Sequence, residues 1–233
     1  MKLVINEKLI KRNKLIGQIT TFASLAILAL GLVLAFKKDT TRILLSYVAL
    51  VIGFIVSQVG ITYTNRFGRS PRFDELLTKS FEKLGSEYTL YVYSSPVPIL
   101  LLGPCGIWIP IPILSAGKVT YEKGKWRQQG GSFLMKAFAQ EGIGKPEVEE
   151  LNAIKEIHKL LRAKNVPESQ FPGIQTILVL LNEKTEIGDV SNAPSEIVHL
   201  RKLKLHIRQY DRNCSSPLSE DQLLKLNQCL LKE

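Results

Sequence analysis

The chain is poor in the residues from which most protein chemistry is built. Its 233 residues include only three cysteines and three histidines. Cys105, Cys214 and Cys229 are too few and too scattered for a disulfide framework or a Cys-x-x-Cys metal pair, and all three are expected as unpaired thiols. His199 and His206 are seven residues apart across a strand-to-helix change, which is not metal-ligand spacing, and His158 lies beside the apolar stripe of a helix. Gly142-Ile143-Gly144-Lys145 lacks the first glycine of a phosphate loop and has Pro146 where Ser or Thr should follow the lysine, so a nucleotide site is excluded. Acid is almost missing from the first third: residues 1–72 hold Glu7 and Asp39 against 11 Lys and Arg.

The overall charge of +10 therefore divides unevenly. Residues 1–72 carry +9, and residues 73–233, with 20 basic and 19 acidic side chains, carry +1. A uniformly basic, nucleic-acid-coating protein is excluded. What the first third has instead is hydrocarbon. Residues 15–36 and 43–64 are two runs of 22 residues without a charge. About 20 apolar residues at 1.5 Å rise cross a hydrocarbon core roughly 30 Å thick, so both runs are long enough to span. Residues 37–42 connect them, which makes the two helices antiparallel neighbours. Ala49, Gly53 and Ser57 repeat at the small-xxx-small spacing that lets helix backbones approach. Gln18, Ser24, Ser46, Ser57 and Gln58 are candidates for hydrogen bonds across the pair. Neither span holds an Asp, Glu, Lys, Arg or His, which argues against a proton or ion pathway.

Lys2, Lys8, Lys11, Arg12 and Lys14 precede the first span, and Arg66, Arg69 and Arg72 follow the second. Lys37, Lys38 and Arg42 lie between the spans. By the positive-inside rule both termini and the main domain are expected in the cytoplasm. The expectation is a multi-pass inner (plasma) membrane protein with an anchor over 1–72 and a cytoplasmic domain over 73–233. Its implied partners are the bilayer itself and a second copy or another protein, through the hairpin or the domain.

The domain reads as mixed α and β. Phe73, Leu76, Leu77, Phe81 and Leu84 recur at helical spacing up to Gly85. Strand-like runs follow at 88–94, 98–102 and 107–113. Pro110 and Pro112 predict that the last is an edge or irregular strand. Gly124 predicts a hairpin between 118–121 and 125–128, and 133–140 a short helix. A longer helix is predicted over 146–164, with Val148, Leu151, Ile154, Ile157 and Leu161 as its buried stripe. Residues 177–181 read as a central strand, 197–200 as a shorter one, then a basic turn through Arg201, Lys202, Lys204, Arg208 and Arg212. Ser219-Glu220-Asp221-Gln222 reads as a capping box opening a final helix.

This order of elements, around Leu101-Leu102-Gly103-Pro104-Cys105-Gly106-Ile107-Trp108, resembles the nuclease-related domain family of the restriction-endonuclease-like superfamily. Gly117-Lys118-Val119 and Gly124-Lys125-Trp126 resemble it too, and the likeness covers about residues 70–231. Gly103 and Gly106 are expected to make a tight turn with positive φ. The resemblance implies a mixed sheet flanked by helices. In an active member it implies an Asp before the turn and an acidic-x-Lys triplet after it, holding Mg²⁺ and orienting the attacking water. Here those positions are Pro98, Ile111 and Ile113. Asp74 and Glu75 on the first helix read as N-terminal helix charge, and Lys118, Glu122 and Lys123 supply no second acid. No catalytic, cofactor-binding or metal residue is assigned. The chain is expected to be a non-catalytic binding or scaffold module, a bacterial-type pseudoenzyme. The alternatives are a tethered DNA-processing nuclease with a rearranged metal site, or a structural subunit of a membrane complex. Nucleic acid has one candidate contact, the Arg201–Arg212 cluster, and an apolar docking patch would be sought near Ile107–Ile113.

Overall fold

The computed structural model describes residues 1–36, 39–131 and 142–231. They form two compact units: Asn6–Arg72, and Met1–Ile5 together with Phe73–Glu233. The first five residues thus leave the anchor expected over 1–72. The helix expected at 133–140 and the link lysines Lys37 and Lys38 lie outside the described residues.

The first unit is a hairpin of α1 (Glu7–Ala35) and α2 (Thr40–Tyr63), continued by a π-helical turn at Thr64–Gly68. Asn6 caps α1 by accepting from Leu9 N, and Asp39 caps α2 by accepting from Thr41 N. Both helices are long and apolar enough to cross a membrane. Their seam includes Gly53 of the expected Ala49–Gly53–Ser57 line, and Ala49 packs against Gly31. The small buried residues are Gly17, Ser24 and Gly31 on α1, and Ser46, Gly53 and Gly60 on α2. They recur every seven residues, the 3.5-residue period of left-handed helix packing. The hydroxyls of Ser24 and Ser46 donate within their own helices, to Thr21 O (2.8 Å) and Ile43 O (2.7 Å). Large side chains such as Phe22, Leu30, Val51 and Phe54 project outward, as lipid-facing positions do.

The second unit is a three-layer arrangement. Its six-stranded sheet has the order β1-β2-β3-β4-β7-β9. The strands are β1 (Lys2–Ile5), β2 (Thr89–Val92), β3 (Ile99–Gly103), β4 (Gly106–Ile113), β7 (Ile174–Leu180) and β9 (Ile197–His199). β2, β3 and β4 form an antiparallel meander; β1 joins β2 in parallel, and β4, β7 and β9 run parallel. The second sheet has β5 (Lys118–Glu122) between β6 (Lys125–Gln129) and β8 (Glu186–Ile187). Lys123 and Gly124, with φ of 51° and 73°, turn the β5–β6 hairpin, as two positive φ values require of a two-residue loop with the favoured twist.

The period of two splits the strands between two faces. Leu100, Leu102, the four isoleucines of β4, Leu178 and Leu180 share one core with Ile157 and Leu161 of α4 (Pro146–Ala163) and Leu226 of α6 (Glu220–Cys229). Leu101, Trp108, Ile177 and Val179 face the other way, the side that carries α3 (Phe73–Phe81) and α5 (Leu200–Arg212) with buried Leu77, Phe81, Leu203 and Ile207. The basic turn expected after β9 is thus a full helix.

Two sequence expectations are corrected here. β4 is central, not an edge, despite Pro110 and Pro112. Ile107 N donates to Gly173 O and Leu181 N to Ile113 O, so odd-numbered residues of β4 bond β7. The prolines turn their missing N–H the other way, where pairing with β3 has already stopped at Leu101–Trp108. The strand is a local edge just where proline needs one. The Ile107–Ile113 stretch is accordingly interior, apart from half-buried Pro112, and offers no docking patch. On α4, Ile157 and Leu161 are buried as expected, but Val148 and Leu151 are 50% and 56% exposed while Glu150 points inward at 7%. Its carboxylate accepts from Ser195 Oγ, whose loop covers this end of the helix.

Candidate functional site

The Gly-Pro-x-Gly segment lies where β3 meets β4, and four separate contacts hold it. The pair Gly103–Gly106 closes the hairpin around Pro104 and Cys105. Gly106 has φ +124°, and a Cβ there would sit 2.3 Å from Gly173 O, so only glycine fits. Gly103 has no positive φ. It is needed for a different reason: the Tyr88 ring lies 2.8 Å from where a Cβ would stand. Leu218 N donates to Pro104 O at 2.7 Å. Cys105 is bonded to Cys214, with Cα atoms 6.2 Å apart, which corrects the expectation of three unpaired thiols; Cys229 is free. Spacing could not reveal the pair, because 109 residues separate its members in the chain.

Beneath the turn is a polar cluster that sequence patterning did not single out. Tyr88 Oη donates to Asp211 Oδ2 at 2.5 Å. Asp211 is on the last turn of α5, just ahead of Cys214. Its carboxyl is held above the ordinary 3.8 of aspartate, first by burial and further by Glu87, while the hydrogen bond from Tyr88 and the nearby Trp108 indole pull it down. The Tyr88 hydroxyl is pushed up, mainly by burial and then by its bond to Asp211. Trp108 stacks edge-on against His206 and Tyr210, at 5.8 and 4.9 Å between centroids, and His206 Nε2 pairs with Glu196 at 2.7 Å.

The sign of the Asp211 shift sets a pH dependence. The fold favours the neutral acid, so its contribution is complete below pH 3.8 and is lost as pH rises through the raised native value. Asp211→Asn is expected to flatten the stability profile between pH 3.8 and neutral. Tyr88→Phe, which removes a donor from the carboxylate, is expected to steepen it. Urea midpoints of the full chain in detergent, measured across that range, read both.

The remaining candidates are dispersed. Pro98 is exposed in the β2–β3 loop, while Ile111 and Ile113 are packed in the apolar core at 5% and 4% exposure. Asp74 is buried and Glu75 half-buried on α3, each with interaction partners. Lys118, Glu122 and Lys123 are exposed on the second sheet, and Glu122 faces Arg127 at 3.9 Å. His158 contacts Phe171. His199 stands at the start of α5, its imidazole held below its ordinary range by burial, then by Arg201 and Lys202. Among the described residues, no three His, Cys, Asp or Glu side chains are grouped to hold a metal ion.

The basic cluster has a structural job for two of its members. Lys204 Nζ donates to Glu82 O at 3.4 Å and Arg208 to Lys83 O at 2.5 Å. Both satisfy carbonyls at the C-terminal end of α3, where the helix leaves orphan acceptors and Lys83 turns at φ 69°. Arg201, Lys202 and Arg212 remain on the solvent surface.

Comparison with family models, with curated proteins and with solved structures returns no match.

Proposed function

We propose that this chain is a membrane-anchored, non-catalytic binding or scaffold module whose α/β domain resembles a nuclease-related domain stripped of its catalytic residues. The observation that carries the reading is the contrast within the turn region. The Gly-Pro-x-Gly hairpin is held by four separate contacts, while the adjoining positions where the resemblance expects ionic ligands are Ile111 and Ile113 in a dry core and Pro98 in a loop. A hydrocarbon side chain cannot ligate Mg²⁺. The element order, a helix, a three-strand meander, a helix and two further strands, supports the same resemblance.

The reading is tested with the full chain in detergent, incubated with plasmid, linear and single-stranded DNA in Mg²⁺ or Mn²⁺. The expected result is no cleavage, and no binding at physiological salt that Arg201→Gln with Lys202→Gln would weaken. Cleavage abolished by Glu75→Ala would establish the rival, a tethered nuclease with a rearranged site.

For placement, the proposal keeps both chain ends and the domain on the cytoplasmic face of the inner membrane. The charge asymmetry of the flanks supports it. So does the parallel pairing of β1 with β2, since strands on either side of the hairpin can pair only on one face of a bilayer. The Cys105–Cys214 bond favours a second reading, in which that shared face is oxidising. Trapping thiols with a maleimide in intact cells separates the two. Three free cysteines are expected in a reducing compartment, and Cys229 alone on an oxidising side.

A further inference from the structure

We propose that β1 is a self-pairing edge: two copies of this chain, anchored in the same membrane, join their six-stranded sheets by antiparallel β1–β1 contact. The inference rests on the membrane-anchored reading above and adds the surface on which a second copy docks. β1 ends the sheet, with β2 on one side and, among the described residues, no strand on the other. Lys2 N donates to Tyr88 O at 2.8 Å, so the even-numbered residues of β1 turn their backbone groups toward β2, and Val4 O also accepts from Ser94 Oγ. The N–H and C=O of Leu3 and Ile5 therefore point to the open side. Their side chains are 42% and 40% exposed, on the sheet face opposite Val4, which packs against the core.

Sheet edges are ordinarily blunted by shortness, proline, a bulge, charge or a cover. The opposite edge, β9, is three residues long, runs directly into α5, and keeps its outward-bonding Ile197 at 9% exposure. β1 has one lysine at its start and hydrocarbon after it. Its chemistry and its place in the chain choose the occupant. A bilayer would cover Leu3 and Ile5 but leave their backbone groups without partners; a strand does both. β1 is also complementary to itself. With a two-fold axis at Val4, Leu3 of one copy lies opposite Ile5 of the other, and each such pair exchanges both backbone hydrogen bonds. The apolar side chains then meet on one face, and Lys2 falls opposite Asn6 instead of a second Lys2. Asn6 is the cap of α1, the first span. Copies inserted the same way round carry this edge at one height above the bilayer, and confinement to that layer makes each a concentrated partner for the next.

The test uses the full chain reconstituted at low density in liposomes, with Cys229→Ser removing the free thiol. Leu3→Cys chains are mixed with Ile5→Cys chains and oxidised with copper phenanthroline. Opposed residues of a hydrogen-bonded pair are about 5.5 Å apart, within disulfide reach, whereas two Leu3 or two Ile5 positions are diagonal neighbours about 7–8 Å apart. The mixture is expected to give at least about fivefold more cross-linked dimer than either variant alone. Independently, Leu3→Lys with Ile5→Lys sets like charges opposite one another and is expected to lower the dimer fraction, counted by single-molecule photobleaching, at least about fivefold. Leu224→Lys, at an exposed leucine of α6, should leave that fraction unchanged. Monomers by step counting, a dimer that survives the lysine pair, or a single cysteine variant that cross-links as well as the mixture each overturns the proposal. Should the lysine pair unfold the domain, the cysteine mixture decides alone. A chain that fails to float with the liposomes refutes the membrane reading itself; inserted monomers refute only this interface.

Discussion

Replacing Cys105 by Ser is expected to destabilise the domain by about 2–5 kcal/mol, among the largest effects of any single change in the chain. The bond closes a loop whose ends are 109 residues apart, and a loop of about that length removes on the order of 4–5 kcal/mol of chain entropy from the unfolded state. The substitution also loosens a junction, because Cys105 Sγ lies 3.7 Å from Asp211 O and joins the hairpin turn to the end of α5. Cys214→Ser should match it, and the double substitution should cost little more than either alone, since each single change already removes the whole link. Denaturant midpoints of the full chain in detergent, with and without reductant, read the effect. Oxidised protein should shift down on reduction, and both variants should ignore reductant. A midpoint insensitive to reductant in the unmodified chain would show that the pair contributes nothing.

Gly60→Ala is expected to be the most damaging methyl that can be added to the hairpin. A Cβ at Gly60 would stand 2.7 Å from Thr21 Oγ1, 3.0 Å from Thr21 N and 3.1 Å from its Cα. The hydroxyl cannot simply swing away, because it donates to Gly17 O at 2.8 Å. The backbone atoms can yield only if the helices separate. Overpacking of that kind costs about 1–3 kcal/mol. Gly53→Ala provides the contrast. Its new Cβ would meet Leu28 Cδ2 at 2.7 Å and Cγ at 2.8 Å, the outer part of a flexible side chain that can change rotamer. Loss of helical signal on titrating dodecyl sulfate into detergent-solubilised chain should therefore come earlier for Gly60→Ala than for Gly53→Ala. The reverse order would place the helix contact elsewhere.

Much of the architecture could be read from local pattern. Charge-free runs of 22 residues are legible because membrane thickness sets the length of a helix that crosses it. The Ser219–Gln222 capping box is legible because its two hydrogen bonds lie within four residues, and the fold forms both. The apolar run at 177–181 falls, up to Leu180, in β7, a central strand paired on both sides. The candidate site was less legible. Gly103 and Gly106 were visible as a turn, yet Tyr88, Asp211 and Cys214, which surround it, come from distant parts of the chain and carry no spacing signal.

The sequence by itself determined most of the longer helices and strands, though not β1, β8 or the helical form of α5, and it also determined which third of the chain is hydrocarbon and where the positive charge collects. These are properties of neighbours, set by a period of 2 or 3.6 and by composition. Only the tertiary structure decided the partnerships. Pro110 and Pro112 are tolerated inside a sheet because pairing between β3 and β4 stops at Leu101–Trp108, before it would need their N–H groups. Glu150 turns inward and Val148 outward because a loop from residues 190–196 brings Ser195 over α4, a contact no helical wheel contains. Cys105 finds Cys214, and β1 finds β2 across the whole hairpin, because sheet pairing and side-chain packing act through space. The periodicity of a segment shows which face it must bury but is silent on what it will be buried against.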